Sequence, residues 1–68
     1  MKLSARNQFE GKIIEMKKGV TTSHVRIDIG GHIVTALITN ESADELKLAV
    51  GKSAYAIIKA SNVMVAVD

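Results

Sequence analysis

His24-Val25-Arg26-Ile27-Asp28-Ile29-Gly30-Gly31-His32-Ile33-Val34-Thr35-Ala36-Leu37-Ile38 changes its pattern once, at the glycine pair. Before the pair, Val25, Ile27 and Ile29 alternate with His24, Arg26 and Asp28. That two-residue period is the mark of a strand with one buried and one polar face. Gly30-Gly31 supplies residues that adopt positive φ without a steric penalty, so the chain is expected to turn back as a hairpin. The returning segment, Ile33 to Ile38, is apolar on both faces, which predicts cover on both sides.

Working outward, Gly11-Lys12-Ile13-Ile14-Glu15-Met16 reads as a preceding strand ended by Lys17-Lys18-Gly19. Beyond the hairpin, Thr39 to Leu46 changes period. Ser42 stands three residues before Glu45, the spacing at which hydroxyl and carboxylate cap each other's exposed backbone donors, so a helix of about two turns is expected to start there. Gly51 ends the connection. Residues 53–59 and 63–67 read as two further strands around the small polar turn Ala60-Ser61-Asn62. The order β-β-β-α-β-β predicts an all-β fold: a small five-stranded, OB-fold-like Greek-key barrel with one short helix between strands 3 and 4, residues 1–68 forming a single domain.

A chain of 7.3 kDa buries a smaller share of its surface than a large domain, and its lack of Cys excludes disulfides and thiolate zinc sites as staples. Oligomerisation is the remaining route, and the apolar runs at 33–38 and 63–67 are the expected contact surfaces. With 47% hydrophobic and 24% charged residues the composition is that of a folded chain. The uncharged run Ala60 to Val67 is far too short to cross a bilayer. Met1-Lys2-Leu3-Ser4-Ala5-Arg6 turns polar at once and carries no secretory pattern, so a cytoplasmic protein is expected, with no membrane partner.

The net charge of +2 comes from scattered Lys and Arg, which is not a nucleic-acid footprint. An OB surface for single strands also stacks bases on aromatic rings, and only Phe9 and Tyr55 are present. A single-stranded nucleic-acid module is therefore a minor alternative. His24 and His32 fall about four ladder pairs, roughly 14 Å, apart in the hairpin, too far for a shared metal cation. No Ser-His-carboxylate set or nucleophile elbow exists, and Asp44 and Glu45 read as a solvated helix face, so no catalytic residue and no enzyme is expected.

Small oxyanions fit better. The acids leave the stretches 1–9, 16–27 and 46–67 without a carboxylate, and each contains a donor-rich segment: Ser4-Ala5-Arg6-Asn7, Gly19-Val20-Thr21-Thr22-Ser23 and Lys59-Ala60-Ser61-Asn62. A tetrahedral dianion asks for such convergent N–H, O–H and cationic donors with no carboxylate among them.

The segments Ser4-Ala5-Arg6-Asn7-Gln8, Gly11-Lys12-Ile13, Lys18-Gly19, Ser42-Ala43-Asp44-Glu45-Leu46, Val50-Gly51 and Lys59-Ala60-Ser61-Asn62-Val63-Met64 together resemble a molbindin, one of the Mop family of small molybdenum-pterin-binding proteins with a TOBE-like domain. The resemblance runs end to end. It implies a homohexamer, a trimer of dimers, that stores or buffers molybdate or tungstate at subunit interfaces. One class of site would use Ser4, Ala5, Arg6, Lys59, Ala60 and Ser61, with Ser42 as a further donor. A second class, near the threefold axis, would use Gly19, Val20, Thr21 and Thr22. No metal cation is implied, and whether a pterin binds stays open. The alternative within the resemblance is an oxyanion-sensing module acting on a regulator or transporter. The 68 residues carry no DNA-binding or ATPase segment, which favours storage.

Overall fold

A computed structural model describes all 68 residues. Four antiparallel strands, β1 (Asn7–Lys18), β2 (Thr22–Asp28), β3 (Ile33–Thr39) and β4 (Ser53–Ile58), form one sheet in the order β3-β2-β1-β4. A helix, α1 (Asn40–Glu45), lies between β3 and β4, and a 3-10 turn, Ala60–Asn62, follows β4. The β2–β3 hairpin turns at Gly30-Gly31 as expected, both glycines at positive φ and Ile29 N–H bonded to His32 O at 2.9 Å.

The strand β1 is longer at both ends than the expected 11–16, because it serves two partners. Its first half pairs with β4, from Asn7 opposite Ile58 to Lys12 opposite Ser53, and its second half pairs with β2, from Lys12 opposite Asp28 to Lys18 opposite Ser23. A bulge between Ile13 and Glu15 interrupts the β2 register, and such an extra residue bends the strand. Backbone bonds from Ile13 N to Lys52 O and from Gly51 N to Ile13 O pin the approach to β4 at this bend. The concave side holds the core of Ile13, Val25, Ile27 and Ala56, with Met16, Ile29, Val34, Ile38, Leu48 and Ala54 packed against it.

Three expectations need correction. The returning strand is not covered on both faces. Val34, Ala36 and Ile38 are half-buried while Ile33 and Leu37 stay exposed, Leu37 at 62%. One six-residue helix cannot roof the outer face as well as close the inner one.

The fifth strand does not form within the chain. After the 3-10 turn, residues 64–68 make no backbone hydrogen bond, and Met64, Val65 and Val67 are more than 90% exposed. A Val-rich segment has β propensity, but a strand exists only where a neighbour supplies its ladder.

The helix cap also moves. Thr39, still in extended conformation, accepts a bond from Ser42 N at 3.0 Å, and its hydroxyl donates to Ser42 Oγ at 2.9 Å. Ser42 is therefore the residue being capped, and Glu45 closes the helix instead of reaching back. At the other end Leu48 N bonds Ala43 O and Lys47 N bonds Asp44 O, with Lys47 at φ 54°, the arrangement of a Schellman stop.

At the hairpin tip Asp28 Oδ1 accepts from Gly30 N at 2.9 Å and Gly31 N at 3.2 Å. These donors favour the ionised carboxylate and hold its pKa below the ordinary 3.8. A lowered folded value means stability that is present above 3.8 and lost as pH falls through the lower, folded value. Thermal melts across this acid range should show wild type losing its advantage over Asp28→Asn; an advantage that persists at the lowest pH would refute the assignment.

Candidate oxyanion site

Because Asn7 begins β1 and pairs with Ile58 at the end of β4, the residues just before one and just after the other must meet at the same end of the ladder. The sequence places Ser4-Ala5-Arg6 and Lys59-Ala60-Ser61 there. Asn7 Nδ2 donates to Ile58 O at 3.1 Å across the pair, and Gln8 Nε2 donates to Ala5 O at 2.7 Å. The two segments line an open groove of about 600 Å³ together with Ile57 and Asn62. Six of the seven residues anticipated for the first class of site are thus neighbours.

Ser42 is the exception. It sits at the start of α1 and does not line the groove. Spacing along the chain says nothing about which loop a helix end approaches. Asn62 could have been included from the Lys59-Ala60-Ser61-Asn62 motif, whereas Ile57 enters only through the β1–β4 register.

No carboxylate lines the groove. The chain's two ion pairs, Lys18–Asp44 and Arg26–Glu15, each at 3.7 Å, leave Arg6 and Lys59 without an acidic partner. Two cations, two serine hydroxyls and an asparagine amide around an open groove can bind an anion. No side-chain hydrogen bond joins either serine to a base.

Gly19, Val20, Thr21 and Thr22 form the β1–β2 connection, where Gly19 N bonds Thr22 O at 2.7 Å. Asn40, the first residue of α1, holds this turn through its side chain and backbone N–H. Sequence reading missed Asn40, which looks there like an ordinary helix-start residue.

His24 lies opposite Leu37 in the β2–β3 ladder and His32 lies at the hairpin tip, and no group of three or more His, Cys, Asp or Glu residues is placed to hold a metal ion. Phe9 pairs with Ala56 and Tyr55 with Glu10, successive register positions on opposite faces, so the rings do not form one stacking platform. No helix is long and apolar enough to cross a membrane.

The model of the TOBE domain matches residues 3–65. The chain belongs to the TOBE-domain family. Within it, the chain is 48% identical to a "Probable molybdenum-pterin-binding protein" of Haemophilus influenzae over the full length of both. Two solved structures share the TOBE fold closely. MopII from Clostridium pasteurianum superposes with a TM-score of 0.92 at 39% identity, covering 97% of this chain and 100% of its own. The cytoplasmic molybdate-binding protein ModG, solved with molybdate bound, gives 0.89 at 38% identity, covering 94% of this chain and 46% of its own. The chain is thereby a Mop-type TOBE protein, and its curled sheet with one short helix has the OB-like fold expected. These relatives are named for binding, not for catalysis, in agreement with the expectation that this TOBE chain is no enzyme.

Proposed function

We propose that this TOBE chain binds molybdate or tungstate in the cytoplasm and stores or buffers it at the subunit interfaces of a homohexamer, a trimer of dimers. The observation that carries the reading is the carboxylate-free groove in which Ser4, Arg6, Lys59 and Ser61 converge from opposite ends of the chain. The molybdenum- and molybdate-binding names of its relatives support the choice of anion.

Binding is electrostatic and directional. Arg6 and Lys59 supply charge, while the serine hydroxyls and backbone N–H groups supply oriented donors. Uptake follows the free oxyanion concentration, and release needs no bond to break.

An interface location fits the openness of the groove, which one chain lines from only one side. The exposed apolar residues of 63–67 and the outer face of β3, with Ile33 and Leu37, provide surface for neighbouring copies.

Titration calorimetry with molybdate, tungstate, sulfate and phosphate, on a particle sized by light scattering, tests the proposal. Tight uptake of more than one molybdate or tungstate per pair of subunits is expected. Sulfate is expected to bind more weakly because it is smaller. Phosphate, also a smaller tetrahedral oxyanion than molybdate, is expected to bind more weakly for the same reason. A folded oligomer that gives no heat with any of the four sinks the reading.

A further inference from the structure

Two consecutive carboxamides open β1, and each is spent on the carbonyl just before one of the groove's two cations. Gln8 Nε2 donates to Ala5 O at 2.7 Å, and Asn7 Nδ2 donates to Ile58 O at 3.1 Å. Ala5 O belongs to the peptide that carries Arg6 N–H, and Ile58 O to the peptide that carries Lys59 N–H. The peptide bonds are trans, so C=O and N–H of one plane point in opposite directions. Holding each carbonyl therefore fixes the N–H on the far side of its plane and the Cα from which the cationic side chain leaves. Neither Arg6 N–H nor Lys59 N–H has an acceptor within the chain.

Successive strand residues point to opposite faces, which lets one dipeptide serve both lips of the groove. Half-buried Asn7 bonds its own cross-strand partner, Ile58, while exposed Gln8, paired with Ile57, reaches back three residues. Neither side chain lines the groove. The lips are unequally anchored. Lys59 follows β4 directly and enters a turn closed by Asn62 N to Lys59 O at 2.9 Å and Val63 N to Ala60 O at 3.2 Å. The segment ahead of β1, residues 1–6, belongs to no helix or strand, and its one hydrogen bond is the one from Gln8.

We infer that Gln8 and Asn7 are positioning residues of the groove: by holding Ala5 O and Ile58 O they set the Arg6 and Lys59 peptides in place before any anion arrives. This rests on the reading of the groove as an oxyanion site. Beyond that reading, part of the groove's affinity resides in two neutral amides that line none of it. Gln8 carries the larger share, because without it Arg6 has no other tie to the fold and must be ordered by the ligand, whereas Lys59 keeps β4 and the 3-10 turn.

Amide NMR of the isotopically labelled oligomer titrated with molybdate tests this, with Ala60 and Ser61 as reporters of groove affinity outside the altered segment. Gln8→Met keeps the length of the side chain and removes its donor. Affinity should weaken roughly tenfold or more, since re-ordering the backbone of even one residue on binding costs about that factor. Asn7→Leu should weaken it less, by roughly threefold. The melting temperature of Gln8→Met should stay at the wild-type value because the position is exposed.

Heteronuclear NOEs of the ligand-free protein supply a readout that a merely structural role would not move. Ala5 and Arg6 should be ordered on the ps–ns timescale in wild type and mobile in Gln8→Met, with Ala60 and Ser61 unchanged in both. Gln8→Lys, whose ammonium can also donate to Ala5 O, should restore the order at Ala5 and Arg6. If Gln8→Met lowers the melting temperature, Gln8→Val removes the same donor with a side chain suited to an exposed strand. Wild-type groove affinity in these donorless variants would overturn the inference. So would Ala5 and Arg6 as ordered without the donor as with it. Ala60 and Ser61 amides that stay silent toward molybdate in wild type overturn the oxyanion reading itself, and this inference with it.

Discussion

Arg6→Ala combined with Lys59→Ala should weaken molybdate binding at the groove by roughly 100-fold or more while leaving the fold intact. Each hydrogen bond to a charged group contributes about 1.5–3 kcal/mol, and about 1.4 kcal/mol corresponds to tenfold in affinity. Two such donors removed together reach the stated loss even if their effects overlap. Stability should barely change, because both side chains are exposed and neither belongs to an ion pair. The decisive measurement is calorimetric titration of the double variant beside its melting curve. Undiminished uptake at the groove would refute these residues as ligands. Arg6→Lys with Lys59→Arg should keep most of the affinity if charge dominates and lose it if guanidinium geometry does. Wild-type affinity at these exposed groups should fall as salt is raised.

Gly11→Ala should produce the largest loss of stability from a single methyl group. A Cβ at position 11 would collide with the backbone oxygen of Asp28 and come within 2.8 Å of Ile27 Cγ2 and 3.0 Å of the Asp28 carbonyl carbon. The obstacle is chiefly backbone, so rotating a side chain gives no relief. Gly11 faces Ala54 of β4 where β1 passes from one partner strand to the other, next to the bulge that bends it. Overpacking typically costs about 1–3 kcal/mol and sometimes more, and a domain of this size shifts its melting temperature by about 4–8 °C per kcal/mol. A fall of more than 10 °C is expected, with a greater fall for Gly11→Val. By contrast, Gly31→Ala adds no close contact and is penalised only by its positive φ. A Gly11→Ala melting point at or above that of Gly31→Ala would show that the strand crossing tolerates side chains after all.

Much of the fold is legible along the chain. The alternation from His24 to Ile29 and the glycine pair after it specify the β2–β3 hairpin because strand periodicity and turn conformations are local properties. Convergence of Ser4-Ala5-Arg6 with Lys59-Ala60-Ser61 was anticipated through the molbindin resemblance, and the β1–β4 register supplies its physical cause. The local patterns at Ser42–Glu45 and 63–67 misled. A capping spacing does not reveal that the preceding strand already ends in Thr39, whose hydroxyl captures Ser42 N first. A run of Val and Met has the propensity of a strand but no means of naming a partner.

Composition and spacing by themselves determined a small, cysteine-free β domain with donor-rich, acid-poor segments, since each of these depends on residue identity and near neighbours. Tertiary structure alone decided that Asn40 reaches back to hold the Gly19, Val20 and Thr21 carbonyls, that Ser42 stands apart from the groove, and that Gly11 must lack a side chain. Each is a contact between residues distant in sequence, set by register and by the bend at the β1 bulge, and such contacts leave no periodic trace in the chain that makes them.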